Sequence, residues 1–184
     1  MPKNRVREKQ LKQRRSLDLV SYHAASVRAQ QRVLELDVFC RADQVALYSP
    51  IHGEVDTALL FSQALEAGKS VAFPRVEGGS MAFIATADAH SFATGCFGVL
   101  EPCGTEHVAI DRLQLVVVPG VAFGRCGARL GYGKGFYDQT FEVRPSSCVL
   151  VGLGFSFQLE EDLPKEAHDV GLDYIVTDEE TLAF

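Results

Sequence analysis

One glycine-rich segment, residues 127–138, constrains the fold of this 184-residue chain more than any other feature. It follows an apolar run at residues 115–118, which is typical of a buried strand. The residues at its end, 136–141, predict a short helix. A glycine loop between a strand and a helix favours a phosphate site, because backbone N–H groups there can face an anion.

The composition of the loop supports that interpretation. Gly131, Gly133 and Gly135 alternate, and such spacing lets the backbone adopt positive φ and approach a ligand closely. Arg129 and Lys134 add positive charge within the same segment. A carboxylate follows at position 138, close enough to hold a cation beside a bound phosphate.

Neither of the two common phosphate motifs fits the segment. A Walker A loop would need glycine where Ala128 stands and serine or threonine where Gly135 stands. The dinucleotide pattern would need its third glycine at Phe136. A plain glycine-rich turn with two solvated cations is the alternative, and the accompanying charged residues after a strand favour the phosphate site over it.

Two stretches, VPGVAF at residues 118–123 and GARLGYGKGFYD at 127–138, resemble the signature of the 5-formyltetrahydrofolate cyclo-ligases (5,10-methenyltetrahydrofolate synthetases). Similar segments elsewhere extend the resemblance over nearly the whole chain: Lys3 and Arg7, GEVDT at 53–57, Glu101 with Pro102, and LPKEAHD at 163–169. Gly124 stands where that family usually has aspartate, and Gln139 where arginine commonly follows.

The resemblance implies an activity, two substrates and a metal. ATP and 5-formyltetrahydrofolate would be converted to 5,10-methenyltetrahydrofolate, ADP and phosphate, with Mg²⁺ as cofactor. The N5-formyl oxygen would attack the γ-phosphate, and N10 would then attack the formyl carbon and expel phosphate. Positive charge near the transferred group is the main catalytic requirement of such chemistry.

The site residues follow from the same resemblance. The nucleotide contacts would be Lys3, Arg7, Arg129, Leu130, Gly131, Tyr132, Gly133, Lys134, Gly135, Phe136 and Tyr137. The folate contacts would be Glu54, Tyr132, Gly133, Lys134, Gly135 and Phe136, and the metal ligands would be Asp138 and Asp169. Catalysis would rest on Lys134 and Arg129.

Each carboxylate has a plainer alternative. Glu54 could be a first-turn residue that favours a helix dipole. Asp138 could be an ordinary helix carboxylate, and Asp169 could be a turn former.

Charge is distributed unevenly along the chain. Residues 1–32 hold nine Lys and Arg against two acids, whereas residues 33–184 hold nine against twenty-two. A basic arm on an acidic body can bind nucleic acid, but it can also fold over a bound polyanion. The pI of about 5.4 and the lack of an RNA-binding motif argue against nucleic acid.

Length and composition predict one domain over residues 1–184, with 47% hydrophobic and 23% charged residues. No apolar run approaches the ~20 residues that span a bilayer, and no secretory signal is expected. Five cysteines without a Cys-x-x-Cys pair fit a reducing cytoplasm. We expect a monomer without nucleic-acid or membrane partners.

Periodicity predicts a helix at 3–15 and a second helix that begins after a cap at Ser21. It predicts a third at 55–67, which ends at Gly68. It predicts strands at 45–48, 71–73, 81–84, 115–118, 149–151 and 174–176, with loop and turn over 86–112. Such alternation indicates an α/β fold with a mainly parallel central sheet. The resemblance implies three layers, α/β/α, similar to the NagB/RpiA/CoA transferase-like fold.

Proline follows three of these strands, at Pro50, Pro74 and Pro119, and is expected to end each one. Ligands of parallel sheets bind beyond the carboxyl ends of the strands. The loops with Glu54 and Arg75, the glycine segment and the last acidic loop should therefore converge at one edge.

Two other classes of function remain open from sequence. A phosphosugar isomerase or acyl-CoA-type enzyme on a similar scaffold would turn over without ATP. A non-catalytic nucleotide- or folate-binding module would bind ATP without releasing phosphate.

Overall fold

A computed structural model of the chain describes residues 3–166 and 168–184. The helices are α1 Lys3–Arg15, α2 Leu19–Leu34, α3 Asp37–Arg41, α4 Ala58–Glu66 and α5 Phe136–Phe141. The strands are β1 Gln44–Ala46, β2 Ser70–Glu77, β3 Ser80–Ala85, β4 Phe92–Thr94, β5 Leu100–Pro102, β6 His107–Val108, β7 Leu115–Pro119, β8 Ala122–Gly124, β9 Arg129–Leu130, β10 Val149–Leu153, β11 Leu159–Glu160, β12 Tyr174–Val176 and β13 Thr181–Ala183.

The central sheet has eight strands in the order β13-β12-β10-β7-β1-β2-β3-β6. The five inner strands from β12 to β2 pair in parallel, and the outer pairings of β13, β3 and β6 are antiparallel. This confirms the predicted α/β fold with a mostly parallel central sheet. The apolar run predicted to be buried is β7, the fourth strand of the order.

Alternate residues of the central strands enter two apolar cores, one on each face of the sheet. Leu115 and Val117 of β7 pack with α2, α3 and α4. Val116 and Val118 pack on the other face, against Phe141 of α5 and residues of the flanking loops. The second face is thus covered by one short helix, by Phe123 of β8 and by loops.

A separate three-stranded sheet has the order β11-β8-β9, in which β8 lies between β7 and the glycine segment in the chain and β9 is part of that segment. The helix α1 packs on it through Val6, which is buried with Ala122, Ala128 and Leu130. The sequence suggested that β7 runs directly into the glycine segment, but it does not. The hairpin β8–β9 first turns the chain under α1.

Several local predictions were wrong for identifiable reasons. Asp18, not Ser21, caps α2, since its carboxylate accepts the N–H of Ser21 at 3.0 Å. The helix predicted at 55–67 is α4, which begins at Ala58 rather than at residue 55, although Gly68 follows its end with φ of 75° as predicted. The interval predicted as loop and turn contains β4, β5 and β6.

Pro74 does not end β2, which continues to Glu77. The parallel pairing of β1 with β2 stops at Ala72, whereas β3 pairs with β2 from Ala72 through Glu77. Beyond Ala72 one side of β2 is therefore an edge. Proline is tolerated at an edge, because no neighbouring strand requires its missing N–H.

Candidate active site

A cleft of about 550 Å³ opens where the inner strands end. It is lined by α1, by the loop after β1, by the middle of β2, by residues 96–101, by the glycine segment and by the acidic loop before β12. Every residue predicted for the nucleotide, folate and metal sites lines this cleft. The predicted convergence of loops at one edge is therefore observed, while the individual roles of these residues stay predictions.

Arg75 is the exception to this convergence. Its guanidinium donates to the carbonyls of Pro102 and Gly104, at 3.0 and 2.7 Å, and pairs with Glu77. The neighbours Pro74 and Val76 line the cleft instead. Alternate residues of a strand point to opposite sides, so an arginine between two cleft residues faces away.

The glycine segment adopts the expected open backbone at two of its three alternating glycines. Gly133 has φ of 98° and Gly135 has φ of 72°, and the latter begins α5. Gly131 does not have positive φ. A Cβ at this position would lie 2.9 Å from Nη1 of Arg129, so any larger residue would require the guanidinium to shift.

The two cations of the segment are held differently. Arg129 is almost fully buried and pairs with Asp138, with 3.0 Å between Nη2 and Oδ2. Its guanidinium also lies 5.3 Å from the centre of the Tyr137 ring. Lys134 is exposed, and its ammonium lies 5.3 Å from the ring centre of Phe97. Arg129 is thus fixed, whereas Lys134 projects into the open part of the cleft.

The N-terminal helix brings further positive charge to the glycine loop. Arg7 donates from Nε to the carbonyl of Gly131 at 2.8 Å, and its guanidinium also passes close to Gly133. Lys3 pairs with Asp169 at 2.8 Å and with Glu166 at 3.2 Å. Burial opposes the charge of Lys3, but its hydrogen bonds to these carboxylates outweigh burial and raise its pKa.

Glu54 forms the opposite wall of the cleft and is buried, with 3% of its surface exposed. Its Oε2 accepts the N–H of Ile51 at 3.0 Å, while Oε1 has no hydrogen-bond partner among the described residues. Burial raises the pKa of this carboxyl to about 7, against the lowering effects of the Ile51 N–H, the Arg14 charge and the Tyr132 hydroxyl. A buried acceptor facing a cleft is suited to bind the N–H groups of a ligand.

Two further residues surround Glu54. Arg14 lies behind it, with 3.9 Å from Nη1 to Oε1, and donates to the hydroxyl of Tyr132. Burial and the charge of Glu54 raise the pKa of Tyr132 to about 12. Tyr132 is therefore a neutral hydrogen-bonding group at the mouth of the cleft, beside the glycine loop.

The two predicted metal ligands lie on one side of the cleft. Asp138 accepts the N–H of Val170, the residue after Asp169, at 3.2 Å. Asp169 also lies with Glu166 and His168, and one ligand atom from each of these three falls within 4.8 Å of the others. Burial alone would raise the pKa of Asp169, but hydrogen bonds from Lys3 and the Glu166 N–H lower it. Anionic oxygens of this kind are the ligands that Mg²⁺ prefers.

Two residues of the site were missed from sequence. Arg14 was not distinguished from the other charges of a basic helix, although it lies seven and eleven residues after Arg7 and Lys3 and so shares their face. Phe97 lies at the rim with φ of 58°, and its ring is 6.2 Å from that of Phe136. The glycines at 95 and 98 were the signal of an unusual turn there.

The chain matches the model of the 5-formyltetrahydrofolate cyclo-ligase family over residues 1–178. The chain belongs to this family. Among family members, a 5-formyltetrahydrofolate cyclo-ligase from Haemophilus influenzae is 30% identical over 176 residues, which cover 92% of this chain and 94% of the relative. A probable 5-formyltetrahydrofolate cyclo-ligase from Caenorhabditis elegans is 29% identical, with coverage of 84% and 82%.

Solved structures agree with this assignment to the cyclo-ligase family. The 5,10-methenyltetrahydrofolate synthetase of Aquifex aeolicus aligns with a TM-score of 0.89 and 35% identity, covering 100% of this chain and 93% of that one. A 5,10-methenyltetrahydrofolate synthetase of Mycoplasma pneumoniae aligns with a TM-score of 0.81 and 26% identity, covering 97% and 100%.

One departure from the cyclo-ligase pattern has a structural explanation. A Cβ at Gly124 would lie 2.9 Å from Cβ of Leu163 and 3.3 Å from Cβ of Ala128. Glycine therefore lets the acidic loop pack directly on the β8–β9 hairpin. The second departure, Gln139, is exposed on α5.

Proposed function

We propose that this member of the cyclo-ligase family converts 5-formyltetrahydrofolate to 5,10-methenyltetrahydrofolate with hydrolysis of ATP to ADP and phosphate. The observation that carries the proposal is that one cleft contains both a cationic glycine loop and a buried carboxylate with a free oxygen. The first suits a polyphosphate, and the second suits the N–H edge of a pterin ring. A cleft of this kind would hold both substrates of the reaction side by side.

In this proposal the nucleotide lies along the glycine segment and α1. Lys134 and Arg129 face the transferred phosphoryl group, since positive charge at that position stabilises the developing negative charge. Lys3 and Arg7 bind from α1, and the contact of Arg7 with Gly131 keeps α1 beside the loop. Leu130, Tyr132, Phe136 and Tyr137 complete the nucleotide wall.

The folate lies between Glu54 and the loop residues 132–136. Oε1 of Glu54 accepts a hydrogen bond from the pterin, and Tyr132 binds beside it. The formyl oxygen on N5 attacks the γ-phosphorus and ADP leaves, giving a phosphorylated imidate. N10 then attacks the formyl carbon, the ring closes and phosphate leaves. Positioning and charge supply most of the rate in such a sequence.

Asp138 and Asp169 are the proposed Mg²⁺ ligands, because both carboxylates lie on the same side of the cleft as the glycine loop. Bound Mg²⁺ would neutralise charge on the phosphate oxygens. In the absence of metal, Arg129 pairs with Asp138 and Lys3 pairs with Asp169, so the negative charges of the two carboxylates are compensated. Glu166 and His168 lie next to Asp169 and would orient it.

The remaining proposals concern organisation and location. We infer a single domain over residues 1–184, which the family match over 1–178 supports, and a monomer without nucleic-acid partners. No helix in the described ranges has the length and apolar character needed to cross a bilayer. The five free cysteines, four of them exposed, favour a reducing compartment, for which we propose the cytoplasm. Likeness to the CoA transferase-like fold stays a prediction.

One assay tests the proposed function. The protein is incubated with 5-formyltetrahydrofolate, with and without Mg²⁺ and ATP, while the absorbance of the methenyl product and the release of phosphate are followed. Both signals should appear together and only with ATP. Turnover without ATP would indicate an isomerase-type or acyl-CoA-type enzyme, and ATP binding without phosphate release would indicate a binding module.

A further inference from the structure

We propose that Arg14 is a positioning residue of the folate subsite: from behind the cleft it favours the ionised form of Glu54 and holds Tyr132 in place, and so sets the pH range of folate binding. This inference rests on the proposed function and adds to it a residue that does not itself line the cleft. Arg14 acts on the substrate only through the two side chains in front of it.

The geometry around Arg14 supports this role. Its side chain is 1% exposed, although it comes from a strongly basic helix. One end of its guanidinium, Nη1, lies 3.3 Å from the carbonyl of Gly120 and 3.9 Å from Oε1 of Glu54. The other end, Nη2, donates to the Tyr132 hydroxyl, and the guanidinium carbon lies 5.8 Å from the centre of that ring. Arg14 therefore joins two cleft walls that are far apart in sequence.

Two buried polar atoms, one of Arg14 and one of Glu54, have no hydrogen-bond partner among the described residues, and they indicate where the substrate would bind. Oε1 of Glu54 and Nε of Arg14 are buried without a partner in the described part of the chain. Buried polar atoms are normally satisfied, so an unpartnered acceptor in the wall of a cleft marks a place where a ligand or water binds. The other carboxylate oxygen of Glu54 is already occupied by the N–H of Ile51.

Arg14 also supplies a permanent positive charge behind this part of the cleft wall. The titratable groups around Glu54 are Arg14 of α1, Tyr22 of α2, Tyr48 after β1, His52 of the same loop, and Tyr132 and Tyr137 of the glycine segment. The tyrosines are neutral near pH 7, so the hydroxyl of Tyr132 can lower the pKa of Glu54 through a hydrogen bond but cannot supply a compensating charge. Removal of Arg14 should therefore leave Glu54 protonated over a wider pH range.

The consequence for binding has a definite sign. The pterin N–H groups need an ionised Glu54 as acceptor, so folate should bind more tightly as the pH rises through the pKa of Glu54, which is about 7. Loss of an opposite charge within a few ångströms typically raises a carboxyl pKa by 1–3 units. In Arg14→Met the rise in affinity should therefore occur at least about one pH unit higher, with about fivefold weaker folate binding at pH 7.

The experiment measures the dissociation constant of 5-formyltetrahydrofolate by calorimetry without ATP, between about pH 6 and pH 9, because such a profile reports the pKa of the free enzyme. The variants are Arg14→Met, Arg14→Lys and Glu54→Gln. Arg15→Met is the matched control, since Arg15 is the exposed neighbour on the same helix and its loss changes net charge equally. Arg14→Lys keeps the charge and should restore most of the wild-type profile.

The outcomes separate this inference from the function on which it rests. The inference is supported if the rise in affinity shifts to higher pH in Arg14→Met and stays in place in Arg15→Met. The pH dependence should also disappear in Glu54→Gln, both alone and combined with Arg14→Met. A uniform loss of affinity at every pH would overturn it and leave Arg14 a structural residue. If Arg14→Met does not fold, an upward shift or a wild-type profile in Arg14→Gln decides the question. Wild-type protein that fails to convert 5-formyltetrahydrofolate would overturn the proposed function instead.

Discussion

Arg7 donates from Nε to the backbone carbonyl of Gly131 at 2.8 Å, and so fastens the N-terminal helix to the first of the three alternating glycines. This contact links the basic N-terminus of the chain to the loop proposed to bind phosphate. Its loss is a direct test of whether α1 takes part in nucleotide binding.

Arg7→Ala should raise the KM for ATP about tenfold or more, because a hydrogen bond that involves a charged group contributes roughly 1.5–3 kcal/mol. Arg5→Ala is the matched control, since Arg5 is exposed on the same helix two residues earlier. Steady-state kinetics with varied ATP measure both. Equal KM values in the two variants would mean that Arg7 does not take part in nucleotide binding. A point variant is preferable to removal of residues 1–8, which would also delete the buried Val6.

Lys134→Ala should lower kcat about a hundredfold with little change in the free energy of unfolding. The side chain is exposed, and its ammonium lies near the ring of Phe97 at the edge of the cleft. A donor that stabilises charge in the transition state contributes roughly 3 kcal/mol to the barrier. Lys12→Ala, an exposed lysine of α1, controls for loss of charge alone. Turnover of Lys134→Ala close to wild type would remove this residue from the proposed machinery.

Glu54→Gln should raise the KM for 5-formyltetrahydrofolate more than the KM for ATP. The amide keeps the shape of the side chain, but it removes the charge and replaces one acceptor oxygen by a donor. A donor of the pterin then loses its partner inside a closed site, which costs about 1–3 kcal/mol. Kinetics with each substrate varied in turn measure the two effects. Similar changes in both KM values would point to a structural role for Glu54.

The same substitution should change the pH dependence of stability. Burial raises the pKa of Glu54 from its ordinary 4.5 to about 7, so the folded chain holds this proton more tightly than the unfolded chain. The stabilisation is therefore complete below the unfolded pKa and is lost as the pH rises through about 7. Relative to Glu54→Gln, the wild type should lose on the order of 3 kcal/mol of unfolding free energy between pH 4.5 and about pH 8. Urea unfolding of both proteins at several pH values measures this difference, and parallel curves would contradict it.

Asp138→Asn and Asp169→Asn should each require a much higher Mg²⁺ concentration for activity, because an amide oxygen is a neutral and weaker ligand for a hard cation. The double variant should lose less than the product of the single losses, since residues that serve one site are not additive. Magnesium titrations of all three proteins measure this, with Asp162→Asn as an exposed control from the same acidic loop. Normal Mg²⁺ dependence in both single variants would mean that the metal binds elsewhere.

The parts of this molecule that sequence predicted well are those with strong local signals. The helix at 3–15 and the helix after Gly135 have the predicted bounds, because glycine and charge patterns mark their ends. The apolar run at 115–118 was correctly taken as the buried central strand. The candidate site residues were chosen because the glycine segment is long and specific, and one cleft does gather them, while their roles stay predictions.

The parts that sequence could not predict depend on distant neighbours. Pro74 lies inside β2 because only one of the described strands pairs with β2 at that point. The residues near Pro74 in the chain do not reveal how many strands will pair with β2 there. Strands of two or three residues, such as β6 and β13, are too short to show alternation. Arg14 resembles every other cation of α1 until the fold brings Glu54 against it.

The way α1 is attached has a consequence for how substrate occupancy can be observed. Its buried residues are Val6, Gln10 and Arg14, so a single aliphatic side chain and a set of polar contacts hold a helix rich in trypsin cleavage sites. Segments with so few apolar contacts open locally at low cost in free energy. Ligands that bridge α1 to the body of the protein should suppress this local opening of α1. The rate of tryptic cleavage within the first fifteen residues should therefore report the fraction of protein whose cleft is occupied by ligand.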